Sequence, residues 1–273
     1  MLLKFENINL NLEKIRTVSP SATCVLFLHG FTGSGSEWNE LANKIDGRFN
    51  IATIDFIGHG KSDSPADEKF YKPAQIISQL NFIINHLTKE KIILAGYSMG
   101  GRAALSFAVK YPHKICGLIL ESSTTGISSE NLRIERIEGD KKLSEFILNN
   151  STESFADYWL NLDLFSSQKK LPAEKLKEIK KTKLNNNRTG LANMLKGFST
   201  GKMEPLFDQV KYIPAKTLLI SGELDEKFTM INSQIVNNFQ YANHIIIKNA
   251  GHNSHLEQPS LYLTSVNNFL KKF

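Results

Sequence analysis

The sequence predicts an α/β fold with a mostly parallel central sheet, helices on its flanks and one helical insertion. Three observations predict it. Apolar runs of strand length alternate with helical patterns through most of the chain. That alternation stops between about Thr124 and Met203, where the chain reads as polar helices punctuated by Asn and Lys without a convincing strand. The segment KIILAGYSMGGRAAL, Lys91 to Leu105, reads as a buried strand, a sharp turn carrying a serine, and a helix.

In chain order, MLLKFENINLNLEKI alternates apolar and polar residues as an edge strand or hairpin does. Strand CVLFLHG follows, then a helix near Ser36 to Ile45, strand FNIATIDF, and a helix near Pro73 to Leu87. In the Lys91 segment, Ile92, Ile93, Leu94 and Ala95 form the short apolar run of a strand covered on both faces. Ala103, Ala104, Leu105, Phe107 and Ala108 continue it as a helix. Strand ICGLILESS is the sixth, and the helical insertion comes after it. The alternation then resumes with AKTLLISGELD, a helix near Met230 to Phe239, strand HIIIKNAGH, and a terminal helix from Pro259 to Phe273. This organisation gives a core of residues 1–123 and 204–273 interrupted by a helical lid, residues 124–203, placed to cover a site at the sheet's edge.

The chain has 273 residues, 41% hydrophobic and 22% charged, enough for one large domain plus an insertion. Its formal charge of +6 is spread among acids, and no basic run is interleaved with aromatics, which argues against nucleic acid as a partner. The lysine-rich stretch from Lys169 to Lys183 reads as a solvated helix face with a few cations free to turn inward. No apolar run reaches membrane-span length and the N-terminus lacks a signal-peptide core, so membrane insertion is not expected and a cytoplasmic location is. Cys24 and Cys116 lie in strand patterns and read as buried thiols of a reducing compartment. No cluster has zinc spacing and no glycine-rich turn matches a nucleotide fingerprint, so neither metal nor cofactor is expected. Oligomeric state is not legible, and a monomer is the working expectation.

Ser98 is the candidate nucleophile. Gly96 and Gly100 flank it at the spacing of a nucleophile elbow, where strand and helix approach too closely for a side chain. A Gly-x-Ser-x-Gly pentapeptide arises by chance in about one chain in ten of this size, so its strand-turn-helix setting carries the claim. A serine needs a base to take its proton, and the base needs a carboxylate to fix its tautomer. Asp225, ending TLLISGELD, and His252, after HIIIKNAGH, supply both at the carboxyl ends of strands. His255 is a rival base, and Glu223 and Asp208 are rival acids; Gly251 before His252 suits a tight turn and favours His252. The amides of Met99 and Phe31 are the expected oxyanion donors, with His29, His59 and Ser62 read as architectural. Arg102 lies one helical turn after Ser98 on the same face and points to an anionic substrate.

LHGFTGSGSEW, DFIGHGKSD, GYSMGGRAAL and NAGHNSH together resemble the α/β-hydrolase superfamily over nearly the whole chain. GYSMGGRAAL, LILESSTTGI, FADYWLNLDLF, LNNNRTGLANML, GFSTG and AGHNSH further resemble the 2-succinyl-6-hydroxy-2,4-cyclohexadiene-1-carboxylate synthases of menaquinone biosynthesis. The resemblance implies the α/β-hydrolase fold and a carbon–oxygen lyase, in which the triad serine acts as a base on a ring C–H and pyruvate leaves from an enolpyruvyl ether. It implies a small substrate with several carboxylates, bound by Arg102, by the lid cation Arg136 or its neighbour Arg133, by Lys183, and against Tyr97 and Trp159. Lys183 stands where the family has arginine, keeping the charge and losing the bidentate fork. The alternatives are a serine hydrolase of esters or carbon–carbon bonds with an anionic substrate, and a non-catalytic binding protein on the same fold.

Overall fold

The computed structural model describes residues 1–273. The N-terminal hairpin of β1 (Leu2–Phe5) and β2 (Ile8–Arg16) forms one edge of an eight-stranded sheet. β3 (Cys24–Leu28), β4 (Asn50–Ile54), β5 (Ile92–Tyr97), β6 (Ile115–Glu121), β7 (Lys216–Gly222) and β8 (Ala242–Ile247) follow in parallel, and the spatial order is β1-β2-β4-β3-β5-β6-β7-β8. β2 pairs antiparallel with β4, so only the hairpin departs from the parallel arrangement.

Every residue of β3 is buried, because helices cover both faces of the sheet. Leu26 and Leu28 face the larger core with α2 (Pro73–Leu87) and α3 (Met99–Lys110), while Val25 and Phe27 face the smaller core with α1 (Asn39–Ala42) and α10 (Pro259–Leu270). α2 buries Ile76, Leu80, Ile83 and Ile84, one stripe at helical spacing, each burial stabilising by roughly 1.5–3 kcal/mol. Cys24 is buried and Cys116 half-buried, and burial pushes the two thiols up to about 12 and about 11. They sit on β3 and β6 with β5 between, about 9–10 Å apart at the strand spacing and beyond disulfide reach.

Between β6 and β7 the chain has no strand. It forms α4 (Glu130–Asn149), α5 (Thr152–Leu160), a 3₁₀ stretch at Asp163–Lys170, α6 (Ala173–Leu184) and α7 (Arg188–Phe198). α4, α5 and α7 share a small apolar cluster of Ile147, Phe155, Leu191, Ala192 and Leu195. α7 is also rooted in the main core: Met194 and Phe198 join the larger cluster, and a Cβ at Gly197 would fall 2.6 Å from the Tyr71 backbone.

Some boundaries differ from the sequence expectation. The helix expected near Met230 to Phe239 is α8 (Glu226–Ile235), because the Asp225 carboxylate accepts from the Phe228 amide and starts the helix early. The helix near Ser36 to Ile45 is a 3₁₀ turn at Gly35–Trp38 running into the four residues of α1. The terminal helix stops at Leu270, and a short α9 (Ser254–Glu257) precedes it. No helix is long and apolar enough to cross a membrane.

Candidate active site

Three strand ends converge. Ser98 follows β5, Asp225 lies three residues past β7, and His252 lies five past β8. The His252 Nδ1–H donates to Asp225 Oδ2 at 2.7 Å, and the Ser98 hydroxyl donates to His252 Nε2 at 3.2 Å. Asp225 and His252 are buried, whereas Ser98 is partly open to a cavity. The rivals stand elsewhere. His255 is held by Glu121, Glu223 accepts from the Asn249 amide, and Asp208 is exposed.

Ser98 has φ 50° and ψ −107°, a conformation costing roughly 1–3 kcal/mol for a residue with a side chain. Its amide donates to the Glu121 carbonyl at 2.8 Å, which helps to hold it there. The turn is tight enough that a Cβ on Gly96 would fall 2.5 Å from the Gly100 carbonyl group. That close approach is why glycine is required on either side of the serine.

Neither the Phe31 nor the Met99 amide has a hydrogen-bond partner in the protein, and both residues line the Ser98 cavity. The loop carrying Phe31 is fixed from below by two buried histidines. The Thr32 amide donates to His59 Nε2 at 3.2 Å, and the Phe56 amide donates to His29 Nε2 at 3.0 Å. Both rings therefore carry their proton on Nδ1, His59 donating to the Ile57 carbonyl and His29 to the Gly30 carbonyl. Ser62 accepts from the Asn11 amide and donates to the Asp55 carbonyl, an equally architectural position.

Burial pushes the His59 pKa well below 6.5 and the neighbouring His29 lowers it further. His29 is also lowered by burial, against the opposing pull of Asp55. A base whose folded pKa is depressed takes up its proton more readily when unfolded, so stability falls as pH drops below about 6.5 and is flat in these two groups above it. The expected slope approaches about 1.4 kcal/mol per pH unit for each histidine at pH values between its folded and unfolded pKa. Urea unfolding from pH 7.5 to 5 checks this. Stability that does not decline over the acid half of that range would mean the rings are not held neutral.

Arg102 is buried and lines the cavity. Its Nη1–H donates to the Phe198 carbonyl at 3.1 Å, and its guanidinium carbon lies 5.0 Å from the Phe198 ring centroid. No carboxylate bonds it. Burial, with repulsion from Arg136, pushes its pKa down to about 9 despite the pull of Asp140, and it stays cationic at neutral pH. Arg136 on α4 lines the same cavity and donates to Asp140 at 2.8 Å, one turn along the helix. Arg133 turns away. It donates to the Gly201 carbonyl and borders a separate groove. Tyr97 and Trp159 both line the cavity, and burial holds the Tyr97 phenol well above its usual pKa, so it keeps its proton.

Lys183 departs from the expectation. Its ammonium pairs with Glu37 at 2.9 Å, each side chain only 9% exposed, and it borders a small neighbouring cavity and not the one containing Ser98. The sequence signal was a cation before LNNN; its partner lies 146 residues away. Burial raises the Glu37 pKa, but attraction to Lys183, its hydrogen bond, His29 and His255 outweigh this and lower it overall. The pair therefore stabilises the fold fully above about pH 4.5 and less as pH falls through the depressed value. Lys183→Met is expected to cost about 3–5 kcal/mol by leaving the Glu37 carboxylate buried alone, with Glu37→Leu in the same chain restoring most of it. Urea unfolding checks both. Unchanged stability in Lys183→Met, with a large rise in substrate KM, would return Lys183 to the substrate.

Two charged cavity residues were missed by sequence reasoning. Lys227 lines the cavity beside His252, and its signal was a cation two residues past Asp225. Asp140 pairs with Arg136 and accepts from the Ser199 hydroxyl at 2.5 Å, and its signal was acid–base spacing of four on a helix.

The family described as the alpha/beta hydrolase fold matches residues 23–259. A Bacillus subtilis (strain 168) protein, provisionally named a 2-succinyl-6-hydroxy-2,4-cyclohexadiene-1-carboxylate synthase, is 42% identical over 92% of both chains. A Salmonella paratyphi C protein carrying that synthase name is 30% identical over 92% of this chain and 95% of its own. The solved structure of MenH from S. aureus superposes with a TM-score of 0.91 at 31% identity, covering 96% of this chain and 98% of that one. A thermophilic esterase from Thermogutta terrifontis, at TM-score 0.84 and 22% identity, shares the fold. With a Ser–His–Asp arrangement at the strand ends and end-to-end similarity to these proteins, the chain belongs to the α/β-hydrolase fold family and, within it, to the 2-succinyl-6-hydroxy-2,4-cyclohexadiene-1-carboxylate synthase family.

Proposed function

We propose that Ser98, relayed through His252 to Asp225, removes a ring proton from 2-succinyl-5-enolpyruvyl-6-hydroxy-3-cyclohexene-1-carboxylate and so drives loss of pyruvate in menaquinone biosynthesis. Family membership supports the reaction class. The observation that carries the assignment of residues is Arg102: a buried cation without a carboxylate partner, in the same cavity as the serine. A protein tolerates such a cation where a bound anion completes it.

The acidic ring hydrogen is the one beside the succinyl carbonyl, since its removal leaves an enolate. The proton passes to Ser98 as the Ser98 proton moves to His252, and the Asp225 carboxylate stabilises the imidazolium. The electron pair moves through the ring double bond and breaks the carbon–oxygen bond to the enolpyruvyl group. Enolpyruvate leaves, takes up a proton and becomes pyruvate, and the ring becomes the cyclohexadiene. The Phe31 and Met99 amides face the enolate oxygen, where negative charge develops as the ring proton leaves. The substrate's three carboxylates meet the cavity's cations Arg102, Arg136 and Lys227, of which Arg136 is already shared with Asp140. Helices of residues 124–203 act as the lid, contributing Arg136 and Trp159.

Pyruvate release from the upstream intermediate, coupled to NADH oxidation by lactate dehydrogenase and corrected for spontaneous loss, tests the proposal. Acceleration over the blank with slow cleavage of nitrophenyl esters is expected. Fast ester cleavage with no accelerated pyruvate release would assign a hydrolase instead.

A further inference from the structure

We propose that Glu121 is a positioning residue that ties the Ser98 turn to the His252 loop, gripping the latter through His255. The inference rests on the reading of Ser98 and His252 as the reacting pair. β6 lies between β5 and β7 in the sheet, and Glu121 at its carboxyl end is the register partner of Tyr97 on one side and Ile220 on the other. A single residue thus stands in the gap between the strand that presents the serine and the strands that present its partners.

Glu121 fills that gap with contacts in both directions. Its carbonyl accepts from the Ser98 amide at 2.8 Å, on the strained residue itself. Its carboxylate accepts twice from His255, from the backbone amide to Oε1 at 3.0 Å and from Nδ1–H to Oε2 at 2.7 Å. The Glu121 side chain is fully buried and His255 nearly so. The His255 ring stacks on Trp38, with centroids 4.0 Å apart and planes 21° from parallel, and meets Tyr97 edge-on at 5.2 Å. His255 belongs to α9, three residues past His252, so fixing it fixes the short loop that aims the His252 ring. Neither Glu121 nor His255 touches the Ser98 cavity, so they act on the reaction through the geometry of others.

Replacing Glu121 by leucine removes both carboxylate contacts. Replacing it by glutamine keeps them, because Oε1 still accepts from the His255 amide and the new NH₂ donates to Nδ1 when the imidazole proton moves to Nε2. Misplacement of a reacting group by about 1 Å costs on the order of 10²-fold. Glu121→Leu is therefore expected to lower kcat for pyruvate release by about 30- to 100-fold with KM within about threefold, and Glu121→Gln to retain kcat within about fivefold. His255→Phe preserves the stack on Trp38 and is expected to lose about tenfold in kcat, with the double variant Glu121→Leu/His255→Phe no worse than Glu121→Leu.

The second readout is the rate at which phenylmethanesulfonyl fluoride modifies Ser98, which depends on the Ser98–His252 alignment and not on the lyase substrate. It should fall in parallel with kcat in protein that still unfolds cooperatively in urea. Parallel loss of sulfonylation in an enzyme that releases no pyruvate would retain the brace and overturn the proposed reaction. Wild-type kcat and sulfonylation rates in folded His255→Phe, or multiplicative losses in the double variant, would overturn the brace.

Discussion

Replacing Ser98 with alanine is expected to slow pyruvate release by about 10²- to 10⁴-fold, the range of a positioned general base, with little change in substrate affinity. The hydroxyl is the only group in the cavity that both donates to His252 Nε2 and opens toward the substrate. His252 Nε2 stands 3.2 Å behind the serine oxygen, so removing Ser98 leaves the remaining base set back from the cavity. Affinity is expected to persist because the cavity's cations remain in place. His252→Ala should cost a similar factor, and the double variant little more, since the two act as one relay. Single-turnover kinetics with a binding measurement on each variant checks the expectation. A tenfold or smaller loss in Ser98→Ala would show that another group takes the proton.

The Ser98–His252–Asp225 arrangement was legible in the sequence because its physics is local. A serine between glycines after a buried strand leaves few backbone solutions, and Asp225 and His252 each sit just beyond an apolar run that had to be a strand. The missed features depend on contacts between segments distant in sequence. Lys183 lies at the end of a lysine-rich helix and is assigned to the substrate by resemblance; only the folded chain brings it against Glu37, 146 residues away, as a buried pair. The place of Glu121 between the serine turn and the histidine loop follows from the strand order, which brings β6 between β5 and β7 and which no local pattern encodes. α8 starts earlier than its apolar periodicity suggests because the candidate triad acid also caps it, a double use that periodicity does not register. The insertion was legible as helical, but the rooting of α7 in the main core rests on Gly190 and Gly197 meeting Gly58 and Tyr71.

Replacing Arg102 with methionine is expected to separate stability from activity. Its partners are the Phe198 carbonyl and the face of the Phe198 ring, neither of which supplies a negative charge. Burial dominates its pKa, pushed down to about 9, because the pull of Asp140 does not offset the cost of burying the charge beside Arg136. Methionine fills much of the same volume without that charge and is expected to stabilise the ligand-free protein by about 1–2 kcal/mol in urea unfolding. Activity should move the other way. Losing a buried charged contact to a substrate carboxylate costs about 2–5 kcal/mol, or about 30- to 5,000-fold in kcat/KM. Lysine should recover part of the activity, since it keeps the charge without the planar fork. Loss of stability in Arg102→Met at near-normal kcat/KM would make the guanidinium a structural group. The opposite outcome, a more stable and nearly inactive protein, is what a site held ready for an anion requires: the charge destabilises the empty cavity and is compensated only when substrate arrives.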